Sequence, residues 1–383
     1  MRSWRRASRR GAAWQVAGAL AVACLAGPGL AGDERPPPPP LPVGAQRPDW
    51  FLALARDGRT VQIVPLRDGR MPDLEAGVSV ELPDDAQDPR LPPRLMILHD
   101  TDVLVLRTRR GGEAVWLRLR RDEAGRWRER AEGVWPEGWG PVGCADLDKD
   151  GQEDLLLLHR EAPTGYAPYS YRVAHGQPDG TFRWGEPRPI PAGRQWNVVA
   201  ALGDVNGDGA ADLIYHVQPH GGWVPVELCA LDGRGDGTFS AEGRAMIRGR
   251  TGASSIVPGR FTRGVCWEVY LAADDDVQDL GQGYLWRQDQ QGKWSLVESL
   301  DPSPQDEGEG SDRGLWTAVA SDVDLDGKLD LVATWNEWGG ARSWRVVVHR
   351  GDGRGGFDAG IELMCARDES PGPALAWPPD AGP

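Results

Sequence analysis

Three short segments of this chain carry oxygen-bearing side chains at a spacing suited to holding a cation. They are Asp146-Leu147-Asp148-Lys149-Asp150-Gly151-Gln152-Glu153-Asp154-Leu155, Asp204-Val205-Asn206-Gly207-Asp208-Gly209-Ala210-Ala211-Asp212-Leu213 and Asp322-Val323-Asp324-Leu325-Asp326-Gly327-Lys328-Leu329-Asp330-Leu331. In each, Asp or Asn stands at positions 1, 3 and 5, and an acid returns at position 9. Glycine at position 6 permits a sharp turn. Carboxylates packed this closely repel one another unless a cation sits among them. The plainer reading is an acidic turn held by Asx-type hydrogen bonds. An EF-hand loop opens in the same way but requires Glu at position 12. Here those positions are Leu157, Tyr215 and Ala333, and strand-like residues follow, which excludes it.

The loops mark a repeat. Their first residues, Asp146, Asp204 and Asp322, lie 58 and 118 residues apart, and the second interval is close to twice the first. A degenerate copy fills the midpoint, where Arg260-Phe261-Thr262-Arg263-Gly264 leads to Glu268-Val269-Tyr270-Leu271. Upstream, Asp102 precedes Val103-Leu104-Val105-Leu106, and Asp49 precedes Trp50-Phe51-Leu52. The closing acids Asp49, Asp102, Asp154, Asp212, Glu268 and Asp330 are thus separated by 53, 52, 58, 56 and 62 residues. A glycine turn followed by an aromatic residue recurs in step: Gly125-Arg126-Trp127, Gly180-Thr181-Phe182, Gly237-Thr238-Phe239, Gly292-Lys293-Trp294 and Gly355-Gly356-Phe357, with Gly69-Arg70-Met71 a weaker first copy. Two markers with one period define six repeats.

Each repeat reads as four short strands. An inner strand such as 196–202 enters the acidic loop, which turns into a continuous apolar strand such as Leu155 to Leu158 or Leu213 to Val217. A third strand, for example Val224 to Leu231, then runs to the glycine turn and a fourth. Apolar runs of this kind suit strands covered on both faces. The expected fold is all-β, a β-propeller of four-stranded antiparallel blades. Six blades are expected, with seven left open; the first repeat has no inner strand of its own, which one of the termini would supply. The expected organisation is residues 1–31 export signal, 32–47 Pro-rich linker, 48–366 propeller and 367–383 Pro-rich tail.

The Asp-x-Asp-x-Asp-Gly-x-x-Asp-Leu loops with their downstream Gly-x-Gly-x-Phe turns resemble FG-GAP/VCBS repeats, the blades of integrin α-subunit propellers and of many bacterial exported proteins. The resemblance covers roughly residues 45–365 and is carried by three full repeats and three weaker ones. It implies about three structural Ca²⁺ sites. One would use Asp146, Asp148, Asp150 and Asp154 with the Gln152 carbonyl. A second would use Asp204, Asn206, Asp208 and Asp212 with the Ala210 carbonyl. A third would use Asp322, Asp324, Asp326 and Asp330 with the Lys328 carbonyl. The loop ending at Glu268 has lost its early carboxylates and is expected to bind none.

The N-terminus carries Arg2, Arg5, Arg6, Arg9 and Arg10, then an apolar stretch from Ala17 to Ala26. This pattern is an expected bacterial export signal, cleaved after Ala31 or, as a lipoprotein, at Cys24 with a lipid anchor there. The stretch is short for a membrane span, and no later segment is apolar enough to cross. The expected location is periplasm, cell envelope or exterior. Loss of residues 1–31 removes five Arg and no acid, taking the net charge from −14 to −19. A chain this acidic should repel nucleic acid and anionic lipid. Cys144, Cys229, Cys266 and Cys365 show no metal-type spacing, and their pairing is open.

Aromatic residues mark the expected links between second and third strands, on the face opposite the acidic loops. Tyr166, Tyr169, His220, Trp223, Trp335 and Trp338 are candidate contacts for a glycan or an envelope protein, with blade packing as the competing explanation. There is no Gly-x-Ser-x-Gly, no His-Glu-x-x-His and no phosphate-cradling glycine loop before a helix. The six His are scattered. A binding or scaffold module is therefore the expected function. The alternative is a propeller enzyme, such as a polysaccharide lyase or hydrolase with a central-face active site.

Overall fold

The computed structural model describes residues 102–109, 113–122, 126–162, 167–192, 198–217, 226–249, 252–262, 267–274, 283–300, 313–321, 326–337, 343–358 and 360–367, together with strand segments 14–15, 50–55, 60–67, 71–72, 78–81 and 94–99. Among them there is no helix; six antiparallel sheets follow one another along the chain. The second sheet is Arg94–His99, Asp102–Thr108, Ala114–Arg121 and Trp127–Val134. The third is Trp139–Ala145, Asp154–Arg160, Tyr169–Gly176 and Phe182–Trp184, with Arg188–Pro189 added beside Tyr169–Gly176. The fourth is Ala200–Gly203, Asp212–Val217, Val226–Leu231 and Arg244–Gly249. The fifth is Gly252–Gly259, Glu268–Asp274, Gly283–Gln288 and Trp294–Leu300, and the sixth is Arg313–Ser321, Asp330–Glu337, Ser343–His349 and Ile361–Arg367. In sheets two to six, strand order equals chain order, so each is a meander.

Inner strands touch inner strands. Ala200–Gly203 lies against both Trp139–Ala145 and Gly252–Gly259, and the latter lies against Arg313–Ser321. Ser255 Oγ donates to the Ala318 carbonyl across one such junction (3.1 Å). Sheets arrayed around their first strands form a β-propeller. The second strand of each blade explains its apolar run. Leu155 and Leu157 enter the core between sheets two and three, whereas Leu156 and Leu158 enter the core between sheets three and four. Leu213 and Tyr215 face back to sheet three, and Ile214 faces sheet five. Side chains alternate, but both faces are covered, so neither can be polar. Full burial of each such side chain stabilises the fold by about 1.5–3 kcal/mol.

The repeated glycine turns join neighbours. Phe182 packs edge-on to Trp116 of the preceding sheet (5.1 Å between centroids), and Phe239 does the same to Tyr171 (5.5 Å). Phe357 reaches Tyr270 and Phe261. The turns also rest on the preceding sheet's loop. Gly237 N–H donates to the Leu147 carbonyl (2.9 Å), and Thr262 bridges to Arg354.

The first sheet contains Trp14–Gln15, Trp50–Ala55, Thr60–Arg67 and Met71–Pro72, with Val78–Glu81 also paired to Thr60–Arg67. Its edge member, Trp14–Gln15, pairs as Trp14↔Ala55 and Gln15↔Leu54. This pair stands beside the second strand of the first repeat, which has no inner strand in its own sequence, and it lies within the expected export segment 1–31.

Candidate metal centre

The closing acid of every described repeat is buried. Asp102, Asp154, Asp212, Glu268 and Asp330 begin the second strands of their sheets and are 0–1 % exposed. A buried carboxylate needs hydrogen bonds and a countercharge. The hydrogen bonds come from backbone. Asp154 accepts from Leu147 N–H (3.0 Å) and Gly176 N–H (2.8 Å). Asp212 accepts from Val205 N–H (3.0 Å) and Gly233 N–H (2.8 Å), and Asp330 accepts from Gly351 N–H (2.9 Å). The position-9 acid thus brackets the start of its loop to the end of the third strand, while each oxygen keeps a second lone pair.

The countercharge differs between sheets. In the second sheet, Arg118 donates to Asp102 through Nε (2.8 Å) and Nη2 (2.5 Å), with Arg120 (2.7 Å) and Arg130 (3.2 Å) beside it. In the fifth sheet, Arg287 donates to Glu268 (2.7 Å), which also takes Thr262 N–H and Oγ1–H. Of sheets two to six, these are the two without a carboxylate loop, and in both the protein supplies its own cation. In the third and fourth sheets, among the described residues, no Lys or Arg reaches Asp154 or Asp212. Burial raises each to about 7, with neighbouring loop carboxylates adding to the rise against the backbone hydrogen bonds. Burial likewise raises Asp204.

The loops share one internal fold. Gln152 N–H donates to Asp150 (2.8 Å), Ala210 N–H to Asp208 (2.8 Å) and Lys328 N–H to Asp326 (3.0 Å). Asp146 accepts Asp150 N–H and Gly151 N–H, and Asp204 accepts Gly207 N–H and Gly209 N–H. Glycines at φ +84°, +80° and +81° (Gly151, Gly209, Gly327) make the turn that residues with a Cβ enter at a cost. Ligand atoms of Asp146, Asp148 and Asp150 lie within 4.8 Å of one another, so this cluster could hold a metal ion. Among the described residues, such convergence of acids is confined to the third-sheet loop. In the fourth sheet Asn206 replaces one carboxylate, donating Nδ2–H to Asp208 (3.1 Å). In the sixth, Asp326 is paired with the Lys328 ammonium, and Asp322 and Asp324 lie outside the described residues.

One residue escaped the sequence reading. His175 is the last residue but one of the third strand, and its Nδ1 lies 3.2 Å from Asp148 and 3.9 Å from Asp154. The signal lay in the step beyond the Leu155↔Ala174 pair, which sets His175 opposite Asp154. Of the expected aromatic contacts, Tyr169 is corrected. It is 6 % exposed in the core between sheets three and four, because its strand alternates inward at Tyr169, Tyr171 and Val173. Trp335 lies in the strand Asp330–Glu337, and its side chain is outside the described set. Tyr166, His220, Trp223 and Trp338 lie outside the described residues.

No family model and no curated protein matches the chain. Solved structures do. A mutant of AofleA from Arthrobotrys oligospora is 10 % identical over 84 % of this chain and 87 % of its own, with a TM-score of 0.49. An endo-arabinase from Bacteroides thetaiotaomicron is 13 % identical over 70 % and 96 %, at 0.43, and the extracellular domains 1-2 of Drosophila Semaphorin 1b are 9 % identical over 84 % and 76 %, at 0.38. At these scores the propeller assignment rests on the chain's own strand order and inner-strand contacts.

Proposed function

We propose that this protein is an exported, calcium-stabilised β-propeller of the FG-GAP/VCBS kind that serves as a binding or scaffold module for a glycan or a protein partner. The observation that carries the metal-loop reading is the pair of buried acids, Asp154 and Asp212, left without Lys or Arg in sheets where Asp-rich loops replace the arginines of sheets two and five, and calcium is assigned to the all-oxygen loop that Asp212 closes. A hard ion with oxygen donors at positions 1, 3, 5 and 9 would supply the missing charge and cross-link the first two strands of the blade. Asp204, Asn206, Asp208 and Asp212 form such an all-oxygen set, and the sixth-sheet loop offers Asp326 and Asp330. Such an ion has a structural task here, holding the loops that carry the blade junctions.

The basic, then apolar N-terminus supports export, and the acidic composition fits a partner other than nucleic acid. The aromatic residues Trp223, Trp335 and Trp338, at or beside the links between second and third strands, are the surface assigned to the partner. The test is glycan-array and envelope pull-down binding, run in calcium and in chelator. Binding should require calcium and should fall when Trp223, Trp335 and Trp338 are replaced by Ala in a protein whose melting is unchanged. Undiminished binding by that variant would remove this surface from consideration.

A further inference from the structure

The third-sheet loop differs from its siblings in one donor. At the step facing the closing acid, sheets two and five carry Arg120 and Arg287. The fourth carries Asp232, which turns to solvent and pairs with Arg244 (2.8 Å). The third carries His175, whose side chain is 13 % exposed. Its Nδ1, an Asp148 oxygen and an Asp154 oxygen lie within 4.8 Å of one another. Asp148 Oδ1 is itself buried without a hydrogen-bond partner. The ring is held from above by the neighbouring blade. Gly237, at φ +77°, rests on it, and a Cβ at that position would collide with His175 Cε1.

We propose that the third-sheet loop is a mixed nitrogen–oxygen site that takes a borderline transition ion such as Zn²⁺ through His175 Nδ1, Asp148 and Asp154. Calcium seeks six to eight oxygens and gains little from imidazole, whereas Zn²⁺ and Co²⁺ accept imidazole and carboxylate together. Two donors about 2.1 Å from a tetrahedral ion stand about 3.4 Å apart. The observed 3.2 and 3.9 Å separations from His175 Nδ1 bracket that value. Three protein donors leave a fourth position, which Asp146 or solvent fills. The inference rests on the reading of these loops as metal loops, but it gives this one a different ion from the all-oxygen fourth-sheet loop.

The experiment is a Co²⁺ titration of the chelator-treated full chain, followed by its visible ligand-field band. A band should appear, be displaced by stoichiometric Zn²⁺, and survive a roughly hundredfold excess of Ca²⁺. His175→Asn and, independently, Asp148→Asn should each abolish it or weaken Co²⁺ affinity about tenfold or more, while the calcium-induced rise in melting temperature remains. That retained rise also shows that the variants fold. No band, a band indifferent to both substitutions, or a band lost to Ca²⁺ as readily as to Zn²⁺ overturns the proposal. Calcium stabilisation without a Co²⁺ band rejects this inference alone. Response to neither ion rejects the metal-loop reading as well.

Discussion

At the scale of residues, the chain solves one problem in two ways. A buried acid at the mouth of each second strand ties the loop to the third strand, and its charge must then be met. In sheet two, Arg118, Arg120 and Arg130 surround Asp102. Arg118→Met should therefore cost about 3 kcal/mol in urea unfolding, the lower end for breaking a buried pair because two guanidiniums stay on Asp102. That cost should be the same with and without calcium. Sheets three and four behave in the opposite sense. Asp154 and Asp212 are raised to about 7, so without metal each is protonated at pH 5 and about half protonated at neutral pH. A carboxyl whose folded pKa lies above its unfolded value of about 4 stabilises the protonated fold, and that contribution is lost as pH rises from about 4 through 7. Calcium must displace the proton of Asp212. The calcium-induced rise in melting temperature should accordingly be small at pH 5 and larger at pH 7.5, measured by paired scans with and without chelator. A rise that is equal at both pH values would contradict it.

At the scale of elements, much of the fold is legible in the sequence because two markers repeat in phase. The closing acids start second strands, and the glycine–aromatic turns precede fourth strands, as the spacing predicts. The aromatic of the turn recurs because it wedges against the preceding sheet, as Phe239 does against Tyr171. Phe239→Ala should cost about 3–5 kcal/mol and be read as a lowered urea midpoint. A cost below about 1 kcal/mol would deny it the wedge role. His175 was not legible, because it stands 21 residues beyond Asp154 in the chain and meets it only through the hairpin register. Tyr169 was misread as a surface aromatic for a related reason. Its position just after a link suggests exposure, but the strand begins there and turns it inward. Trp14–Gln15 pairs across more than thirty intervening residues, which no local pattern announces.

At the scale of the whole molecule, sheets two to six meet through apolar cores that neighbouring blades share. The loops that carry the acids also carry the blade junctions, since Gly237 of sheet four hangs from Leu147 of sheet three. Charge at a loop is therefore felt across the seam between blades. The account's central claim is that the charge missing at Asp212 is supplied from outside the chain, by calcium. The most direct measurement is a calcium titration of chelator-treated protein, by calorimetry paired with thermal unfolding. Saturable binding is predicted, with stabilisation of about 2.7 kcal/mol at a hundredfold excess over Kd and a matching rise in melting temperature. Absence of heat and an unmoved melting temperature would contradict it.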